Sequence, residues 1–117
     1  MADRTREQSS CRTTDSEGFD RIWAQIDLDA LRFNMESMHD SIQEGTQMVA
    51  VLKTNGYGHG AVILMKELEK LSYVWGYAAA TFEEAKELRD NGAQKPIILL
   101  GYVFPYCYDQ LIELGIR

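Results

Sequence analysis

Apolar residues along this chain gather into short runs, and amphipathic stretches separate the runs in a regular order. Ile22-Trp23-Ala24-Gln25-Ile26 alternates loosely and predicts a strand. Asp27 comes next, where a helix N-cap belongs, and Leu28, Leu31, Met35, Met38 and Ile42 then recur on one helical face. Gly45 is placed to end that helix. Met48 to Leu52 is a continuous apolar run of strand length. A glycine-rich turn comes next, then a helical pattern over Ala61 to Leu71 with Leu64, Met65, Leu68 and Leu71 on one side. Val74 to Ala78 predicts a second buried strand. Thr81-Phe82-Glu83-Glu84 has the form of a capping box, whose hydroxyl and carboxylate satisfy the first-turn amides. The helix it opens runs to Asp90 and stops at Asn91-Gly92. Pro96 to Gly101 is a third apolar strand, and a further helix is predicted around Tyr106 to Leu114.

Strands that are apolar throughout, alternating with helices, belong to a parallel sheet covered on its outside. They recur about every 25 residues, which suits the successive βα units of a barrel or of a doubly wound sheet; spacing alone does not choose between them. Length then adds a constraint. An eight-stranded barrel needs roughly 200 residues or more, whereas these 117 hold three such units and a leading strand. At Leu114-Gly115-Ile116-Arg117 a helix has just ended and a new strand would begin, so the expectation is an α/β unit cut short. Residues 1 to about 20 are polar, mixed in charge and without periodicity, which predicts a flexible extension before an ordered part over 21–117.

Composition changes the picture mainly by exclusion. With 45% hydrophobic residues the chain can bury a core, which argues against disorder. Twelve basic against eighteen acidic residues leave a formal charge of −6. That disfavours nucleic acid, which needs a concentrated basic surface, and anionic lipid equally. No run reaches the ~18 apolar residues of a membrane span. The first twenty residues lack the apolar segment of a signal peptide, so a cytoplasmic location is expected. Cys11 and Cys107 lie far apart in unlike contexts and read as free thiols, Cys107 as a packing residue. No cysteine or histidine cluster has metal-ligand spacing.

The candidate chemistry sits after the first apolar run. Lys53 ends the strand Met48 to Leu52, and in parallel α/β folds the carboxyl ends of strands face the active site. A partly desolvated amine there can attack an aldehyde. A strand-end lysine can equally extend its stem and place its charge in solvent, and position alone favours that reading. Gly56, Gly58 and Gly60 then alternate with Tyr57 and His59, giving a backbone able to turn tightly or approach a ligand. The spacing matches neither the dinucleotide nor the P-loop pattern. Elsewhere Asp27 and Asp29 read as helix-start carboxylates, His39 as solvated, and Trp23 and Trp75 as core aromatics.

The segment Val51-Leu52-Lys53-Thr54-Asn55-Gly56-Tyr57-Gly58-His59-Gly60 closely resembles the pyridoxal-phosphate attachment signature of the alanine racemases. The resemblance extends to Trp23 through Leu31, to Glu83-Glu84-Ala85 with Leu88-Arg89, and to Pro96 through Gly101, so it covers about residues 21 to 117. Thr54 and Gly56 stand where that family more often has alanine. The resemblance implies the N-terminal part of a (β/α)8 TIM-like barrel, incomplete here. It also implies that the leading strand belongs to a C-terminal β domain that the chain lacks. Lys53 would then attach pyridoxal 5'-phosphate and act as base or acid on one face of the substrate α-carbon. Tyr57 would bind the cofactor phosphate, and His59 would shape the turn. Leu100 would border the cofactor ring, with an ordinary barrel-core leucine as the competing reading.

The activity so implied is interconversion of L- and D-alanine, supplying D-alanine for cell-wall peptidoglycan, by a homodimer whose second catalytic tyrosine lies outside this segment. The segment alone is expected to be inactive. Two other readings share this front part: a serine racemase of the same fold, and a non-catalytic truncated fragment. A small pyridoxal-phosphate carrier protein is a further possibility, against which the Tyr-Gly-His-Gly turn speaks.

Overall fold

A computed structural model describes Ile22 and residues 24–117. The polar extension over 1–20, Cys11 and Trp23 lie outside the described residues. The elements run α1 (Leu28–Ser41), β1 (Met48–Val51), α2 (Lys53–Tyr57), α3 (Ala61–Leu68), β2 (Val74–Ala79), α4 (Phe82–Asp90), β3 (Ile97–Leu99), a 3-10 turn (Pro105–Cys107) and α5 (Tyr108–Glu113). The three strands form one parallel sheet in the order β1-β2-β3, with Val51 beside Ala78 and Ala78 beside Ile98. A fourth strand is starting where the sequence predicts one. Ile116 forms a parallel bridge to Ile97, Arg117 N–H donates to the Ile97 carbonyl at 2.9 Å, and Leu99 N–H donates to the Arg117 carbonyl at 2.7 Å.

Burial explains why the strands read as unbroken apolar runs. β2 is buried at five of its six positions, because it has a strand on each side and helices over one face. Leu64, Met65 and Leu68 of α3 and Ala85 and Leu88 of α4 pack with Tyr77, Ala79 and Ile97 into the core. Tyr77 is fully buried, and its hydroxyl donates to the Glu69 carboxylate at 2.5 Å. Burial, reinforced by that carboxylate, pushes the phenol above its ordinary pKa and keeps it protonated. The opposite face of the sheet is open at its first strand, where Val49 and Val51 are 41% and 40% exposed.

Several expectations shift at their edges. Residues 24–27 form no strand: a lone extended segment has no ladder partner among the described residues. α1 is capped as predicted, Asp27 Oδ1 accepting from the Asp29 and Ala30 amides, but it ends at Ser41 rather than at Gly45. The Ser41 hydroxyl donates to the Met38 carbonyl, Ile42 turns extended, and Gly45, at φ 83°, serves the next turn. His39 is half-buried rather than solvated, its ring stacked on Tyr73 with centroids 4.2 Å apart. Trp75 is half-buried too, with the Arg117 guanidinium 5.7 Å from its ring centre. Cys107 is buried in the 3-10 turn, as its packing reading requires.

The tightest backbone approach in the sheet is at Gly76. A Cβ there would lie 2.3 Å from the Pro96 carbonyl oxygen, and that oxygen is held in place by the Tyr77 amide at 2.9 Å. Neither side can yield without parting β2 from β3. Gly76→Ala is therefore expected to cost about 1–3 kcal/mol of stability, read as a lowered urea midpoint.

Candidate functional site

The β1–β2 ladder continues one residue beyond β1, since Leu52 N–H donates to the Ala78 carbonyl at 2.8 Å and Leu52 is buried. Lys53 is the next residue. It is half-buried at the carboxyl end of the sheet, where the sequence places it. No ion pair or hydrogen bond among the described residues engages its amine.

Directly after Lys53 the backbone enters a left-handed helical turn. Thr54, Asn55 and Gly56 have φ/ψ of 55°/47°, 53°/43° and 62°/39°, and Tyr57 also has positive φ, at 56°. Each non-glycine residue in that region costs roughly 1–2 kcal/mol, and a β-branched threonine is a poor occupant. Successive residues persist there only because the surroundings over-determine them. Gly56 N–H donates to the Leu52 carbonyl at 2.9 Å, Gly58 N–H to Thr54 at 3.2 Å, and Gly60 N–H to Asn55 at 2.9 Å. Asn55 Oδ1 accepts the Ala61 amide at 2.9 Å and so caps the first turn of α3. His59 Nδ1 lies 3.1 Å from the Gly56 carbonyl, which agrees with its assignment to the turn.

One further bond ties this turn to a different part of the chain. Glu84 Oε1 accepts the Thr54 amide at 2.9 Å, and Oε2 accepts the Ala80 amide at 2.8 Å. Thr81 Oγ1 accepts the Glu84 amide at 3.2 Å, so the threonine half of the predicted capping box forms. Sequence reasoning reaches only that local role. The contact with Thr54, thirty residues away, carries no local signature. Burial works against ionisation of Glu84. The amides of Ala80, Thr54 and Thr81, with the Lys53 charge, outweigh it and hold the carboxyl below the usual glutamate range.

Tyr57 stands 60% exposed beside the turn, and Leu100 is 57% exposed just past β3, its N–H donating to the Ala79 carbonyl at 2.9 Å. Among the described residues Leu100 is therefore not buried. Lys53, Tyr57 and Leu100 share the carboxyl end of the sheet, where β2 separates the β1 and β3 ends by two strand spacings, ~10 Å. Gly58 has open space where a Cβ would stand, which leaves that side of the turn accessible. A groove of about 730 Å³ between α1 and β1 takes in Tyr57 and His59 but not Lys53, so it tracks the uncovered strand edge rather than the amine. Among the described residues no group of three or more His, Cys, Asp or Glu could hold a metal ion, and no helix is long and apolar enough to cross a membrane.

Three parallel strands in sequential order, each followed by a helix and with a fourth strand beginning, form a partial α/β unit of the kind that opens a TIM-barrel domain. Residues 26–117 match the family described as alanine racemase, N-terminal domain, and the chain belongs to that family. It is 40% identical over 95 residues to an alanine racemase of Desulforamulus reducens, covering 81% of this chain and 25% of that protein. With an alanine racemase of Desulfovibrio desulfuricans it shares 44% identity over 89 residues, 74% of this chain and 24% of the other. Among solved structures, the alanine racemase of Clostridium difficile 630 in complex with cycloserine superposes with a TM-score of 0.73 at 39% identity, over 76% of this chain and 24% of that one. The E. faecalis alanine racemase gives the same TM-score at 38% identity, over 78% of this chain and 24% of that one. The chain spans about a quarter of the length of the relatives it matches.

Asn55 has two jobs in the turn: it tolerates the left-handed conformation and it caps α3. Asn55→Ala removes both and is expected to lower stability by about 1–2 kcal/mol. Chemical denaturation should show this as a shifted midpoint with an unchanged slope.

Proposed function

We propose that this chain is the cofactor-attaching segment of an alanine racemase, with Lys53 as the attachment residue for pyridoxal 5'-phosphate. The observation that carries the reading is a half-buried lysine at the end of β1, directly before a left-handed turn that the fold braces from several sides. The residues present fit the cofactor. Lys53 offers a primary amine for its aldehyde, Tyr57 an exposed phenol for its phosphate, and Gly58 an approach unobstructed by a Cβ. Leu100, exposed at the end of β3, offers an apolar edge for the ring.

Bound there, the cofactor supplies a conjugated electron sink for charge developing at the substrate α-carbon. The protein's part is orientation and proton transfer. Lys53 Nζ, at a fixed strand end, takes or returns the α-proton on one face of alanine. Tyr57 holds the phosphate end, so that the cofactor cannot pivot away from the lysine. The group serving the opposite face, a tyrosine reached across a homodimer interface, is assigned to the remainder of a full-length racemase. Alanine is preferred to serine as substrate because the similar proteins of Desulforamulus reducens, Desulfovibrio desulfuricans and Clostridium difficile are alanine racemases. The physiological role proposed is supply of D-alanine for peptidoglycan.

The test is covalent capture. After incubation with pyridoxal phosphate and borohydride reduction, peptide mapping should find the adduct on Lys53, and Lys53→Ala should abolish it. Equal uptake by both proteins would overturn the assignment. A second outcome concerns the 117 residues alone: chiral chromatography of L-alanine incubated with them and the cofactor should show no D-alanine. Turnover by this segment would refute the division of labour proposed here.

A further inference from the structure

The strain in the turn after Lys53 needs a restraint from outside the turn, because its own hydrogen bonds are shared with the glycine backbone around them. Glu84 is placed to supply it. Its two carboxylate oxygens are split between two elements: one takes the amide of Thr54, the first left-handed residue, and the other takes the amide of Ala80, just beyond β2. The carboxylate is also close enough to Lys53 for the two charges to interact. Its position is in turn set by α4, which the buried Ala85 and Leu88 anchor in the core whether or not its first turn is capped. A chain of contacts thus runs from the helix core, through one carboxylate, to the residue after the amine.

We infer that Glu84 is a positioning residue for Lys53, bridging the Thr54 and Ala80 amides so that the left-handed turn, and with it the lysine stem, is held against the end of β2. It acts through the backbone, by way of the Thr54 and Ala80 amides. The inference rests on Lys53 being the attachment residue, but the bridge itself does not require the cofactor.

Residue type matters to the bridge. A carboxylate can accept two amides at once, one on each oxygen, whereas a glutamine keeps one acceptor and turns a donor toward the other N–H. Glu84→Gln therefore preserves size and leaves one of the two amides facing a donor. Removing the Thr81 hydroxyl instead weakens the α4 cap and leaves the carboxylate bridge in place, so Thr81→Ala serves as the control for simple loss of helix stability.

The experiment uses the complete protein and two readouts. In the first, the amide proton shifts of Thr54 and Ala80 are tracked by NMR as pH falls. Glu84 has a folded pKa below its ordinary value of 4.5, so its contribution is present above that value and is lost as pH drops through the lowered one. Both amides should move together with that single low midpoint, and the movement should vanish in Glu84→Gln. In the second, the rate of pyridoxal phosphate capture at Lys53 is compared among wild type, Glu84→Gln and Thr81→Ala. Glu84→Gln should slow capture about tenfold, as loss of one satisfied amide shifts the population of the turn, while Thr81→Ala should stay near wild type. Equal slowing by both variants, or independent titration of the two amides, would overturn the inference. Absence of capture in wild type with the amide titration intact would instead remove the cofactor assignment and leave the bridge standing.

Discussion

The hydrogen bond from the Leu52 amide to the Ala78 carbonyl is the last rung of the β1–β2 ladder, and the site begins where that ladder stops. Up to Leu52 the chain is confined by a parallel partner and by burial. One residue later the backbone leaves the sheet and the amine of Lys53 becomes available. Had the ladder run on, the lysine would be one side chain along a strand. Had it ended earlier, nothing would fix the direction of the stem. The left-handed turn is the consequence: the chain must reverse toward α3 within a few residues. It does so through positive-φ backbone braced by Asn55, by the glycine amides and by Glu84.

The same division between confined and open backbone runs through the whole sheet. Its helix-covered face is packed by α3 and α4, and it holds Tyr77 in place through Glu69. Its other face leaves Val49 and Val51 open at β1. In a TIM barrel that second face is the interior, filled by side chains from several strands. The apolar character of these valines is thus explained by the barrel to which the family belongs, and burial among the described residues does not yet account for it.

Polar groups secure the ends of the elements opposite the site. The Arg89 guanidinium donates to the carbonyls of Ala93, Lys95, Leu114 and Gly115, joining the end of α4 to the end of α5. Glu69, just after α3, accepts the amides of Gln94 and Lys95 ahead of β3. These bonds satisfy loop backbone that helices and strands leave unpaired, and they hold the helix layer in register with the sheet. Fixed at that end, the strands present their carboxyl ends in a defined geometry.

The sequence by itself determined the element order, because each element is decided by short-range physics. Hydrophobic period separates strand from helix, Asp27 and Thr81 announce helix starts, and the Ile116 strand start is legible from the helix that precedes it. Lys53 and its glycine turn were legible for the same reason, as one contiguous segment whose resemblance to a known signature could be read directly. The sequence did not reveal that the turn is left-handed: Asn55 tolerates positive φ, but Thr54 and Tyr57 have no local reason to adopt it. It also misplaced His39 and Trp75, whose half-burial depends on Tyr73 and Arg117 arriving from elsewhere. Glu84 shows the boundary most clearly. Its helix-capping position is a local fact, whereas its hold on the Thr54 amide exists only once two βα units lie side by side. A hydrogen bond between residues thirty positions apart leaves no mark in either segment, so only the tertiary structure could decide it.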